Sequence, residues 1–173
     1  MDISFETERL LLRPHTADDV QAAYEINLDP EVSRFTHDGG VQPLEVVRDR
    51  IVNNVLGDYK KYGYGRMAVI HKPDNKFIGF CGLKYLEDFK EVDLGYRFAR
   101  PYWGKGIATE ACQAVLPYGF DELGLSRIIA LALEDNVASI RVMQKLHFQF
   151  TKLIEEDGAT AVWYTLESQD FQP

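Results

Sequence analysis

The residues of this 173-residue sequence whose types and spacing could best do chemistry run from Val92 to Ala111, through Asp93, Leu94-Gly95-Tyr96 and Trp103-Gly104-Lys105-Gly106. Their pattern predicts a strand, a tight glycine-rich turn and the start of a helix. Gly104 and Gly106 carry no Cβ, so the backbone there can approach a ligand closely. The N–H groups of Lys105 to Thr109 would then point out of a helix N-terminus, where aligned peptide dipoles leave about half a positive charge. Such a terminus accepts a diphosphate, although the same residues could also form an ordinary turn and cap. Two nucleotide-binding alternatives fail on spacing. No G-x-x-x-x-G-K-[ST] occurs, and in G-x-G-x-x-G the third position is Thr109, neither Gly nor Ala. The turn also follows a run of strands instead of opening the first β-α unit of a parallel sheet.

The elements that must hold these residues are readable from periodicity. Glu8 to Arg13, with Leu10, Leu11 and Leu12, predicts a buried strand. Thr16-Ala17-Asp18-Asp19 has the form of a capping box opening a helix through Val20, Ala23, Tyr24 and Asn27. Asp29-Pro30 and Thr36 to Gly40 read as breaks, and Pro43 opens a second helix running to about Lys61. Arg66 to His71, Lys76 to Leu86 and Glu91 to Ala99 then read as an antiparallel meander. After the glycine turn a helix runs through about Glu122, with Pro117 inside it, where a proline should kink or shorten the helix. Arg127 to Leu133 is a strand, Asn136 to Leu146 a helix, and Phe150 to Ile154 and Ala161 to Leu166 two last strands. The order β-α-α-β-β-β-α-β-α-β-β gives an α+β or mixed α/β layer around one sheet, in a single domain spanning residues 1–173.

At this point the residues resemble a known family. Trp103-Gly104-Lys105-Gly106-Ile107-Ala108 is similar to R/Q-x-x-G-x-G/A, the acetyl-CoA loop of the GNAT N-acetyltransferase superfamily, with Trp103 in place of Arg or Gln. The run resembles the branch typified by RimJ/RimL-type ribosomal-protein N-terminal acetyltransferases, where a Trp at this position is usual. Thr7 to Pro14 resembles that branch's opening strand and Leu94-Gly95-Tyr96 its I-G-Y strand. Glu134 to Ser139 with Lys145-Leu146-His147-Phe148 resembles its N-x-x-S…K-L-G-F helix. The four segments occur in the expected order over nearly the whole chain.

The resemblance implies a mixed, mostly antiparallel sheet of about seven strands flanked by about four helices, splayed between its fourth and fifth strands. It implies acetyl-CoA as cosubstrate and a primary amine as acceptor, with a protein or peptide α-amine favoured and a small amine as the alternative. Main-chain groups around Tyr96 and Phe98 would hold the pantothenate arm as an added strand, and are the implied source of an oxyanion donor. Gly104 would shape the turn while Lys105, Gly106, Ala108 and Thr109 receive the diphosphate. Asn136, which reads independently as an N-cap, would also touch the cofactor arm. Ser139 would lie near the reacting thioester, and Asp93 falls where the branch often has Glu, a position for a general base. Glu91 shares its strand face at period two; either carboxylate could be the base or an exposed strand charge, and Glu91 reads better as the exposed charge. Glu110 reads as a complement to the helix dipole. His37, with Phe35 and Thr36, would line the acceptor site between Phe35 and Val41 and the hairpin Glu155 to Thr160. Two positions depart from the family pattern. Met143 stands where many members place a Tyr general acid, so Ser139, another side chain or water must return the proton. His147 stands for Gly, at a helix end that asks for a left-handed residue.

An N-terminal acceptor makes modest demands. An α-amine with pKa near 7.8 is neutral about once in seven at pH 7, against roughly once in 2,500 for a lysine near 10.4, a gap of about 3.5 kcal/mol. A carboxylate acting through water then suffices. A non-catalytic acyl-CoA sensor is the other class that fits an intact loop without the Tyr. A structural protein without cofactor leaves the glycine turn unexplained.

Composition narrows the classes further. The net charge is −8, with 27 acidic and 19 basic residues, which argues against a broad nucleic-acid surface. No apolar run approaches the roughly 18 residues of a membrane span, and the acidic N-terminus does not resemble a signal peptide. Four scattered His and two distant Cys lack metal-ligand spacing. Cys81 and Cys112 read as buried thiols of a cytoplasmic protein, monomeric or homodimeric.

Overall fold

A computed structural model describes residues 3–35, 40–156 and 158–172. Eight strands form one sheet: β1 (Phe5–Glu6), β2 (Leu10–Pro14), β3 (Arg66–His71), β4 (Lys76–Leu86), β5 (Glu91–Phe98), β6 (Arg127–Leu133), β7 (Gln149–Glu156) and β8 (Ala159–Glu167). Their order is β1-β2-β3-β4-β5-β6-β8-β7. All neighbours are antiparallel except β5 and β6, which are parallel and share one aligned pair, Asp93 with Ile129. The expected seven strands are all present; β1 is an addition of two residues, too short to show a period.

Strand alternation assigns the two faces. Cys81 of β4 meets Cys112 of the helix α5 (Ile107–Pro117) at 3.7 Å, so beyond the register shift next to Ile78 the odd residues of β4 face α5. On that face Leu10, Leu12, Val69, Ile78, Leu83, Ile107, Val115, Leu116, Ile128 and Leu166 are almost wholly buried, each worth roughly 1.5–3 kcal/mol relative to exposure. The even residues of β4 face the first helical layer. There Arg97 lies over Phe80 and donates to Asn27, the last residue of α1 (Val20–Asn27). This layer has a small core of its own, Val20, Val47 and Ile51.

Several expectations are refined. Asp29 caps a short helix, α2 (Pro30–Ser33), by accepting from the Glu31 N–H at 3.0 Å, where the sequence reads as a break. The helix opened by Pro43 is three pieces: α3 (Leu44–Asp49), a π-helical turn Arg50–Val55, and α4 (Leu56–Tyr62). Pro117 does shorten its helix. It is the last residue of α5, and the chain continues as a π-helical turn, Tyr118–Glu122, with the Leu123 N–H bonding back to Tyr118. The remaining helix is α6 (Val137–Lys145), followed by His147 at φ 67°, the left-handed residue that the Gly position requires. Among the described residues no helix is long and apolar enough to cross a membrane.

Candidate active site

Past the Asp93–Ile129 pair, β5 and β6 diverge, so a cavity of about 570 Å³ passes from one face of the sheet to the other. On the α5 and α6 face its wall includes Tyr96, Cys112, Asn136, Ser139 and Met143. On the opposite face it includes Arg66, Lys84, Asp93 and Arg97 from the strands, with Asn27, Arg50, Asn54 and Asp58 from the helices above.

The glycine turn leads into α5, whose Cys112 lines this opening, but Phe98 and Gly104 to Thr109 are not themselves part of its wall. Gly104 and Gly106 adopt φ of 69° and 77°, the left-handed region in which a side chain is strained. Open space surrounds Gly104, and a Cβ at Gly106 would meet only the Arg9 guanidinium, at 3.6 Å. Helix α5 begins at Ile107, so the N–H groups of Ile107, Ala108 and Thr109 have no acceptor within the helix. Lys105 is exposed, with its ammonium 5.9 Å from the Tyr102 ring centre. These residues fit a diphosphate: donors, positive helix end and space coincide.

Three contacts hold the turn, none of them legible beforehand. The Trp103 indole donates to the Phe98 carbonyl at 2.7 Å, tying the turn to the end of β5; this is the physical use of the Trp that replaces Arg or Gln. It also occupies one lone pair of a main-chain group expected to face the cofactor arm. Arg9 donates to the Lys105 carbonyl at 2.9 Å. Glu110 accepts from the Thr7 hydroxyl, from the Arg9 N–H at 3.0 Å and from Arg9 Nε at 2.7 Å. Glu110 is therefore a strut between α5 and the turn preceding β2, and more than a partner of the helix dipole. Burial acts to raise its pKa, but the Thr7 and Arg9 hydrogen bonds outweigh it and hold the carboxyl below its ordinary value.

Deeper in the opening, the Tyr96 hydroxyl donates to Ser139 Oγ at 3.1 Å. Burial pushes the Tyr96 phenol well above its ordinary pKa, so it stays protonated. The sequence marks Tyr96 only for its main chain. Period two, which puts it on the face of Leu94 and Phe98 toward the helices, is the signal that could have found the side chain. The two rings stack, with centroids 5.7 Å apart. Asn136 caps α6 by accepting from the Ser139 N–H at 3.2 Å, which fixes the serine's place in the first turn and leaves its amide NH₂ as a further donor. Met143 is buried in the cavity wall. Cys112 is buried against Cys81, whose hydrogen bond, together with burial, raises the thiol's pKa; it is not poised as a nucleophile.

On the acceptor face Asp93 is buried and ion-paired with Arg66, whose guanidinium also donates to the Asp93 carbonyl at 3.0 Å. Glu91, by contrast, pairs with Arg127 at 3.3 Å and does not line the cavity. Phe35 does line it; Thr36 and His37 lie outside the described residues. The hairpin expectation is corrected. No described residue of 155–160 lines the cavity, and the wall is completed by the π-helical turn, through Arg50, Ile51, Asn54 and Val55. A π turn swings side chains away from the α-helical track, which no local sequence period announces.

Comparison with known proteins agrees with this geometry. Residues 9–149 match the acetyltransferase (GNAT) domain family. The chain is 32% identical over 152 residues to an uncharacterized N-acetyltransferase, p20, of Bacillus licheniformis, covering 87% of this chain and 84% of that protein. Among solved structures, a GNAT-family acetyltransferase from Bacillus anthracis superimposes with a TM-score of 0.80 at 29% identity, over 96% of this chain and 99% of that one. A ribosomal L7/L12 α-N-protein acetyltransferase, RimL, solved with coenzyme A, shares the fold with a TM-score of 0.80 at 20% identity, over 97% and 99%. The chain belongs to the GNAT family and is an N-acetyltransferase that uses acetyl-CoA.

Proposed function

We propose that the acceptor is the α-amine of a protein or peptide, and that the two reacting groups meet in the opening between β5 and β6. The observation that carries this reading is the single cavity joining Ser139 and Tyr96 on one face of the sheet to Asp93 on the other. Acetyl-CoA supplies an activated acyl carbon with a thiol leaving group. Gly104, Lys105, Gly106, Ala108 and Thr109 hold the diphosphate, and main chain at Tyr96 and Phe98, with Asn136, receives the arm. Splayed β5 main chain offers donors for the oxyanion. The RimL neighbour is a ribosomal L7/L12 α-N-protein acetyltransferase, which is consistent with this choice.

Ser139 gives its hydroxyl proton to the departing sulfur and takes one back through water from the proton that leaves the amine, while the Tyr96 hydroxyl, which stays protonated, donates to Ser139 Oγ and orients it in place of the Tyr missing at Met143. Asp93, paired with Arg66, takes the amine proton through water. A carboxylate is only a weak base, but an α-amine needs no more, since about one in seven is neutral at pH 7. Most of the rate then comes from holding amine and acyl carbon together.

The test is acetyl transfer to peptides with a free N-terminus, compared with the same peptides blocked at the N-terminus and carrying a lysine, alongside titration with CoA. Transfer to the free α-amine and none to the blocked peptides supports the reading. CoA binding with transfer only to small amines would replace the peptide with a small-molecule acceptor. CoA binding without transfer to any amine would leave a sensor.

A further inference from the structure

The acceptor face of the cavity is cationic in a chain whose net charge is −8. Among the described residues Arg50, Arg66, Lys84 and Arg97 line it, against the carboxylates of Asp58 and Asp93. Arg66 is committed to Asp93, and Arg97 donates to the neutral Asn27 side chain. Lys84 sits opposite Asp93 in the β4–β5 register, half-buried, and closes no ion pair or hydrogen bond among the described residues. Asp58 reaches it only through space, and burial holds the Asp58 carboxyl above its ordinary pKa against the pull of Lys84 and Arg66.

A partly desolvated ammonium without a counter-ion is costly, and a plain amine offers it nothing. The same charge disfavours the ammonium form of an incoming amine, lowering its pKa toward the neutral nucleophile. Both facts have one solution. We propose that the acceptor amine carries an anionic group, a carboxylate close to the reacting nitrogen, which Lys84 binds. This rests on the acetyltransferase reading above and narrows its substrate class. The carboxylate has two possible sources: an acidic residue following the peptide α-amine, or the carboxylate of a free amino acid.

The experiment compares kcat/KM for peptides beginning Ser-Asp-Asp, Ser-Ala-Ala and Ser-Lys-Lys, and for free aspartate against its diamide, at low and at high salt. The expected result is an advantage of about ten-fold for the acidic over the neutral peptide, as for a charge-assisted hydrogen bond, shrinking as salt screens it. In Lys84→Gln the acidic-to-neutral ratio falls toward one, with CoA titration reporting that the variant is folded. A larger effect on aspartate against its diamide than on the peptides keeps the chemistry and assigns the small-molecule source. Equal or better use of the neutral or basic peptide by the wild-type protein, or an unchanged ratio in Lys84→Gln, overturns the proposal. Failure to acetylate any amine while CoA still binds removes the catalytic reading, and this proposal with it.

Discussion

Ser139 and Tyr96 come from elements 43 residues apart in sequence, yet their hydroxyls share a hydrogen bond in the wall of the reaction cavity. If Ser139 returns the proton, Ser139→Ala lowers kcat by about 10²-fold, in the range of general-acid effects, with little change in CoA affinity. Tyr96→Phe removes only the hydroxyl that orients Ser139, so a smaller loss is expected, and the double variant should be no worse than Ser139→Ala alone. Additive losses would show independent roles. Stopped assays of kcat with CoA titration decide between these. At this scale the sequence was partly legible. Asp93, Ser139 and Asn136 line one cavity as the motifs implied, but the Arg66 counter-ion and the Tyr96 hydroxyl arise from register between strands, which no single segment records.

The glycine turn proposed to receive the diphosphate depends on elements far from it in sequence. Glu110 and Arg9 form a buttress between α5 and the first strands, and Asp19 is similarly held by Arg13. Both carboxyls have folded pKa values below their ordinary ones: burial raises each, and the hydrogen bonds to Thr7 and Arg9, or to Arg13 and Thr16, outweigh it. A depressed carboxylate pKa contributes stability that is complete above the unfolded value near 4 and is lost as pH falls through the folded value. Urea midpoints measured from pH 6 downward should therefore fall steeply below about pH 4.5. Glu110→Gln should lower the midpoint at pH 6 and flatten that slope, while weakening CoA binding through a loosened turn. An unchanged slope would remove Glu110 from this role.

Gly79 shows the same reach within the sheet. It sits at φ 143° where the β3–β4 register shifts, and a Cβ there would lie 2.0 Å from the Arg97 carbonyl. Gly79→Ala should cost more than about 2 kcal/mol, through backbone displacement and strain. Thermal melting checks this, and a loss under 0.5 kcal/mol would contradict it. Helix and strand periods were readable because burial is periodic. The π-helical turns at Arg50–Val55 and Tyr118–Glu122 were not, since each is set by what the helix packs against; only Pro117 warned of one.

Across the whole molecule, the two helical layers differ in how firmly they are built. The α5 side rests on a large continuous core, whereas α1 and α3 share three buried residues with Ala23, Tyr24 and Leu44 around them. In the proposed site acetyl-CoA would bridge the firm side and the split between β5 and β6, so binding should stabilise the protein globally. At a hundred times Kd the gain is about 2.7 kcal/mol, or roughly 5–10 °C in Tm for a chain of this size. ATP at the same concentration should give far less. The global architecture was the most legible level, because element order and the resemblance agreed. The acceptor wall was the least, because it is assembled from α1, the π-helical turn and three strands at once.

The parting of β5 from β6 also sets the kinetic scheme. Because the sheet stands between the two faces of the cavity, the proposed site would admit CoA species and amine from opposite sides, so that neither would have to leave for the other to arrive. Initial-rate plots at varied concentrations of both should intersect, and never run parallel. Coenzyme A should compete with acetyl-CoA but act noncompetitively toward the amine. A parallel pattern would mean an acetylated side chain as intermediate, for which the buried, raised-pKa Cys112 is poorly suited. One break in a hydrogen-bonded ladder thus fixes the order of events as well as the place.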